Sequence, residues 1–202
     1  MSSGFWTQPV SLAGKHVRLE PLSMEHAPGL RAALSDGELW RLWYTAVPGP
    51  DGLEAYIDTA LRGQQVGTDL PFVVRDGAGE IVGCTRYCHI EQENHRLEIG
   101  YTWYAQRVQR SALNTEAKRL LLAHAFESLK AIAVEFRTDW FNARSRAAIA
   151  RLGAKQDGVL RNAVRRPDGS MRDTVVFSII ESEWPSVKRH LDYQLERDRG
   201  LA

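Results

Sequence analysis

The chain has 202 residues, 44% hydrophobic and 25% charged, a composition that one globular domain around one core accommodates. Its 26 lysines and arginines stand against 25 acidic residues, and a net charge of +1 lacks the basic excess that a nucleic-acid partner would demand. No apolar run reaches the ~18 residues of a membrane span, and the N-terminus has no basic segment followed by an apolar one, so neither a membrane partner nor a secretion signal is expected.

Residues 1–14 carry no clear periodicity and read as an N-terminal arm, leaving one domain over 15–202. Lys15 to Leu22 alternates polar and apolar residues, which puts Val17, Leu19 and Pro21 on one face of a first strand. Ser23 is a helix cap ahead of the stripe Ala27, Leu30, Ala33 and Leu34, which Asp36-Gly37 breaks. The aromatic piece Leu39 to Tyr44 and the turn Val47 to Gly52 lead into a second helix, Leu53 to Leu61. Leu70 to Arg75 and Glu80 to Tyr87 flank Asp76-Gly-Ala-Gly79, a hairpin signal. Cys84 and Cys88 share a face of the second of these strands, ~13 Å apart and too far for a disulfide. They read as free thiols of a reducing compartment, with no metal set around them. His89 and His95 belong to no motif and read as surface residues.

Arg96 to Tyr104 is a further strand, with Glu98, Gly100 and Thr102 on one face and Leu97, Ile99 and Tyr101 on the other. From Asn114 to Leu129 the residues Ala117, Leu120, Leu121, Ala125 and Leu129 recur at helical spacing, widened by Leu122 and Phe126. A short strand, Ala133 to Thr138, precedes a helix from Ala143 to Leu152 that stops at Gly153. Strands Ala154 to Val164 and Met171 to Ile180 flank a second hairpin turn. Ser182 and Pro185 open a terminal helix reaching Arg199. This order predicts an α/β domain with one mixed, mostly antiparallel sheet flanked by helices, and a single parallel crossover between residues 96 and 138.

Ligands of such sheets sit where a strand's carboxyl end feeds a helix. Here that place is Ala105 to Glu116. Asn114 and Thr115 are N-cap types, the helix they open leaves its first N–H groups unpaired, and Arg107 and Arg110 lie beside it, together a site for an anion such as pyrophosphate. The same residues also describe an ordinary capped helix with solvated arginines.

Several strings, in this order and at these spacings, resemble the GNAT acetyltransferases, and most closely their ribosomal-protein N-terminal acetyltransferase (RimJ/RimL-like) branch. They are Val17-Arg-Leu-Glu-Pro-Leu22, Glu98-Ile-Gly-Tyr101, Asn114-Thr-Glu-Ala-Lys118, the run from Thr138 to Ala154, Asp168-Gly, Arg172-Asp, Phe177-Ser178 and Glu183-Trp-Pro185. The resemblance implies a cytoplasmic enzyme, for which a homodimer is allowed, that moves the acetyl group of acetyl-coenzyme A directly to a primary amine of a small molecule or peptide, with no metal. The family's pyrophosphate loop falls on Arg107-Val-Gln-Arg-Ser-Ala112, where Arg110 stands at the first glycine position and Ala112 fits the last. The resemblance gives the cofactor Tyr101, Thr102 and Trp103 on the strand, then Arg107, Gln109, Arg110, Ser111, Ala112, Leu113, Asn114 and Thr115, with Asn142 and Arg144 on the next helix.

A protonated amine must lose a proton before it attacks a thioester, and Glu98 is the candidate base. By its resemblance to the serine that members of this branch use, Ser145 is the candidate acid for the departing thiolate; it lies one helical turn after Asn142, which is also an N-cap. Trp40, Trp43 and Tyr44, with Trp103 and Tyr104, are candidates to line the acceptor's entrance. Two other readings stay open: a GNAT-like protein that binds coenzyme A or another ligand without turnover, which Arg110 at the glycine position keeps open, and an acyltransferase for other acyl groups.

Overall fold

The computed structural model describes residues 5–199, so the first four residues of the expected arm and the last three of the expected domain lie outside the described residues. The strands are β1 (Leu12–Ala13), β2 (Val17–Pro21), β3 (Leu70–Asp76), β4 (Ile81–Glu91), β5 (Arg96–Tyr104), β6 (Ala133–Asp139), β7 (Lys155–Arg165) and β8 (Met171–Ile180). The helices are α1 (Ala27–Ser35), α2 (Leu53–Val66), α3 (Ala112–Ala123), α4 (Ala143–Arg151) and α5 (Trp184–Arg199). The strands form one sheet in the order β1-β2-β3-β4-β5-β6-β8-β7. Among the described residues only β5 and β6 run parallel, as the crossover through α3 predicts.

The apolar periodicities end up where they point. Val17 and Leu19 are buried from β2, and Ala27, Leu30, Ala33 and Leu34 from α1. Ala117, Leu121, Leu122, Ala125, Phe126 and Leu129 are buried from α3 and the π-helical turn His124–Ser128 that continues it, while Leu120 is half-buried. The Tyr87 hydroxyl of β4 donates to the Leu121 carbonyl of α3 at 2.7 Å. Tyr56 of α2 instead places its hydroxyl 3.3 Å from the Cys84 thiol, so α2 and α3 cover opposite faces of the sheet. Helix α5 lies along α3, held by Arg119 to Asp192 at 2.9 Å and by Phe126 stacked on Trp184 at 5.4 Å.

Three expectations are corrected. Residues 5–14 are not a loose arm: Trp6 is 3% exposed within the core, and β1 pairs with β2. A two-residue strand is too short to show alternation, and its pairing partner is chosen by tertiary contact. Helix α3 is capped by Ser111, whose Oγ accepts from the Leu113 N–H at 3.3 Å, rather than by Asn114 or Thr115. The helix starts earlier than its apolar stripe because the cap is set by extended backbone at Ser111. Strand β5 does not alternate throughout. Cys84 faces Trp103 and Arg86 faces Gly100, so Thr85 alone opposes Tyr101 and Thr102, and Tyr101 sits at φ +52°. This β-bulge puts Tyr101 on the face of Glu98 and Gly100, where its ring covers the Arg86 guanidinium at 3.9 Å. Thr102 turns to the opposite face, toward α3.

Candidate active site

The bulge also shapes the gap beside it. Parallel pairing between β5 and β6 lasts three residue pairs, Arg96–Ala133, Leu97–Val134 and Glu98–Glu135, and stops. Beyond it β5 runs on to Tyr104 and β6 to Asp139 without a partner in the gap. A bulge increases local twist and bends its strand, which separates the two carboxyl ends. The result is a wedge in mid-sheet, closed at Glu98 and open toward the start of α3. Unpaired peptide groups along its β5 edge offer hydrogen bonds to an extended ligand. Trp103 and Tyr104 are buried at the open end, and among the described residues the indole N–H and the phenol oxygen have no hydrogen-bond partner.

A groove lined by arginines adjoins that open end. A cavity of about 460 Å³ is lined by Gln106, Gln109 and Arg110 ahead of α3, by Arg144 of α4, and by Leu39, Arg41 and Leu42 across from them. Arg110 and Arg144 thus meet near the first turn of α3, where Ser111 satisfies one of the N–H groups that have no partner inside the helix, while Arg41 is paired at 3.0 Å with Glu38, which also lines the groove. Arg110 is exposed and adopts φ +61°, the left-handed conformation that glycine takes without cost. Gln109 donates to the Tyr104 carbonyl at 2.9 Å, tying the loop to β5. Arg107 turns away, its N–H and guanidinium 3.2 Å and 3.5 Å from the Asp36 carboxylate. Leu113 is core, and Thr115 is buried with its hydroxyl accepting from Arg151 at 3.0 Å. Of the expected phosphate contacts, the groove therefore gathers Gln109, Arg110 and Arg144. Ala112 and Asn114 are half-buried in the first turn, and Ser111 beside them is spent on the cap.

At the closed end Glu98 is 6% exposed. His89 Nδ1 lies 2.8 Å from its Oε2, and Arg137 Nε of β6 lies 3.6 Å from the same oxygen. Cys88 Sγ, His89 Nδ1 and a Glu98 oxygen all fall within 4.8 Å of one another, a spacing a cation could use. The Arg137 guanidinium, hydrogen-bonded to Glu135 at 2.9 and 3.1 Å, already places a positive charge beside the same carboxylate. The hydrogen bond to Glu98 raises the His89 pKa above the ordinary imidazole value, against a smaller opposing effect of burial. Burial, and then the Glu98 charge, push the Cys88 thiol up, and burial takes Cys84 to about 11, so both stay protonated.

The start of α4 is held by β6. Asp139, buried at its end, accepts from the Phe141 N–H at 2.9 Å and is paired with Arg166 of the β7–β8 hairpin. Asn142 then caps α4, its Oδ1 accepting from the Ser145 N–H at 3.0 Å, which sets Ser145 in the first turn and half-buried. Trp43 is 58% exposed and packs against Tyr44 (5.6 Å), Phe141 (5.3 Å) and the Arg166 guanidinium (4.9 Å). Trp40 is half-buried against the core. These aromatics stand beside the β6–α4 loop, and among the described residues no hydrogen bond, ion pair or ring contact joins them to Glu98.

Sequence reasoning missed His89, Arg137, Arg41 and Lys118. Alternation sends position 89 to the face opposite Glu98. His89 reaches the carboxylate because its φ is +47°, within the irregular pairing after Cys88. Lys118 looks like a solvated helix residue, yet it is 5% exposed. Its Nζ donates to Thr102 Oγ1 at 2.7 Å and lies 3.5 Å from Thr85 Oγ1, directly behind the bulge.

Residues 16–155 match the acetyltransferase (GNAT) domain family. Over 110 residues the chain is 31% identical to "Putative ribosomal N-acetyltransferase YdaF" of Bacillus subtilis (strain 168), a match spanning 54% of this chain and 59% of that protein. A solved structure of a "putative acetyltransferase" from T. thermophilus superposes with a TM-score of 0.81 at 38% identity, over 93% of this chain and 97% of that one. Mycobacterium smegmatis RimJ, solved in complex with CoA-disulfide, shares the fold with a TM-score of 0.78 at 22% identity, over 93% and 96% of the two chains. The chain belongs to the GNAT acetyltransferase family.

Proposed function

We propose that this protein transfers the acetyl group of acetyl-coenzyme A directly to a primary amine, and that the amine is carried by a peptide N-terminus. The observation that carries the reading is the wedge between β5 and β6, closed by a buried carboxylate and opening onto a groove with three arginines. The names of relatives in the ribosomal acetyltransferase branch support the peptide acceptor.

The residues fit coenzyme A in kind. Arg110 and Arg144 present charge and fork-shaped donors for phosphates, with the first-turn N–H groups of α3 behind them and Arg41 balanced by Glu38 across the groove. The open edge of β5 offers peptide donors and acceptors to the amide-bearing arm. When bound, acetyl-coenzyme A supplies an acyl group activated as a thioester. Glu98 takes the proton from the acceptor's ammonium so that its lone pair is free. The Ser145 hydroxyl, set by the Asn142 cap, donates a proton to the departing sulfur. Both cysteines are buried with raised pKa values, which favours direct transfer over a covalent acetyl-enzyme.

The test is release of free thiol from acetyl-coenzyme A in the presence of an amine panel: peptides with free N-termini, polyamines, amino sugars, and the same peptides with blocked N-termini. Turnover with free-terminus peptides alone is expected. Glu98→Gln is expected to lower kcat by on the order of 10²–10⁴ with little change in coenzyme A affinity. No thiol release with any amine would refute the activity. Full activity of Glu98→Gln would remove this carboxylate from the mechanism.

A further inference from the structure

We propose that Lys118 is a positioning residue: through Thr102 and Thr85 it holds β5 in its bulged register and so keeps the wedge open for the amide-bearing arm of coenzyme A. The role rests on the reading of the wedge as the coenzyme A site. The lysine stands on α3, behind the sheet, and is 5% exposed. Its Nζ donates to Thr102 Oγ1 at 2.7 Å, and Thr102 Oγ1 lies 2.7 Å from Thr85 Oγ1. Thr85 is the residue of β4 that stands alone against Tyr101 and Thr102. The three side chains therefore staple the bulge to the strand opposite it and to the helix behind it, on the face away from Glu98.

The clamp discriminates between two registers. In a regular strand Thr102 would share the face of Glu98, and Tyr101 would point toward α3. The lysine amine would then keep only Thr85, 3.5 Å away, as a hydrogen-bond partner. A buried amine that loses its partner is costly, so Lys118 disfavours the regular register more than an apolar side chain of its size would. Buried polar groups fix register in the same way in coiled coils. Burial lowers the Lys118 pKa to about 7, so the arrangement is kept although an apolar residue would pack there without that cost. The register matters because parallel pairing stops after Glu98 and Glu135. A regular β5 would be free to continue that pairing and consume the peptide groups that line the wedge.

The test uses the full chain and two variants: Lys118→Met, which removes the amine, and Thr85→Val, which keeps the side chain's shape, removes its hydroxyl and carries the test should Lys118→Met fold poorly. Calorimetric titration compares coenzyme A with phosphoadenosine diphosphate, its nucleotide end, which reaches only the groove. In both variants the affinity for coenzyme A is expected to fall by about tenfold, while that for the nucleotide end is unchanged. Thr85→Ser, which restores the hydroxyl, is expected to recover the loss. In the ligand-free proteins the Tyr101 ring, stacked on Arg86 at 3.9 Å in the bulged register, reports the clamp. The NMR signals of that ring and of the Arg86 guanidinium are expected to shift in both variants. Unchanged affinity for coenzyme A overturns the role, as does an equal loss for coenzyme A and its nucleotide end, which marks a general loosening of the fold. Tyr101 and Arg86 signals identical to wild type overturn the clamp itself. A wild-type protein that binds neither ligand sinks the coenzyme A reading instead, so the two failures are distinguishable.

Discussion

Lys118 is the residue at which charge and burial conflict most openly. Its ammonium lies behind the bulge, with two threonine hydroxyls and no carboxylate among its hydrogen-bond partners. Burial lowers its pKa from 10.5 to about 7, and the nearby cysteines offset this only in part. Below about pH 7 the folded state must hold a buried charge that the unfolded chain exposes to water. Between about 7 and 10.5 the unfolded chain binds the extra proton, so stability rises with pH across that window. The effect is on the order of a few kcal/mol at its full extent. Denaturant unfolding at a series of pH values should show this rise in the wild-type protein and a flattened profile in Lys118→Met. Equal slopes in the two would show that the amine does not titrate on folding. At working pH the lysine's hydrogen bonds still serve β5, since Thr85 Oγ1 also lies 3.5 Å from the Gly100 carbonyl at the bulge.

Among the elements, the loop entering α3 carries the proposed anion site. In the family pattern a glycine lets backbone N–H groups approach the phosphates. Here Arg110 takes the same left-handed conformation at φ +61° while adding a guanidinium to the groove. Strain and charge can therefore be separated by two substitutions. Arg110→Gly is expected to stabilise the fold by up to about 1 kcal/mol while weakening coenzyme A binding. Arg110→Ala is expected to weaken binding without that stabilisation, because alanine keeps the strain. Calorimetric melting and titration with coenzyme A at low salt would read both effects. Unchanged affinity in both variants would take Arg110 out of the site. The Ser111 cap and the Gln109 bond to Tyr104 explain why this loop keeps its shape through either change.

Across the whole molecule, β1 and the turn before β2 brace the region from which α3 springs. Glu116, buried on α3, accepts from the Lys15 N–H at 3.0 Å and the His16 N–H at 2.5 Å, which fixes the entry to β2. Trp6 packs into the core and lies edge-on to His95, 5.9 Å between centroids, just ahead of β5. The N-terminal segment thus touches both the helix and the strand that bound the wedge. Trp6→Ala is expected to destabilise the protein by about 3–5 kcal/mol, as for other buried aromatics truncated in a core. Urea unfolding would measure it. A loss below about 1 kcal/mol would mean that residues 5–14 are the loose arm their sequence resembles.

The amino-acid sequence by itself determined what rests on periodicity and turn chemistry. The alternation of Val17 and Leu19, the stripe from Ala117 to Leu129, and the hairpin signals at Asp76-Gly-Ala-Gly79 and Asp168-Gly169 led to the right elements in the right order. The mixed sheet with one parallel pair followed from that order. The Asn142 cap was also legible, because it is a local string. What tertiary structure decided lies where a single backbone angle breaks the period or where a partner is distant in sequence. Tyr101 at φ +52° and His89 at φ +47° each place a side chain on the face that alternation denies them. Arg137 meets Glu98 across the parallel pair, and Lys118 reaches two strands from α3. Periodicity assumes that each residue repeats the geometry of the one before. A bulge or left-handed residue departs from it only because packed neighbours repay the strain, and those neighbours meet only in the folded chain.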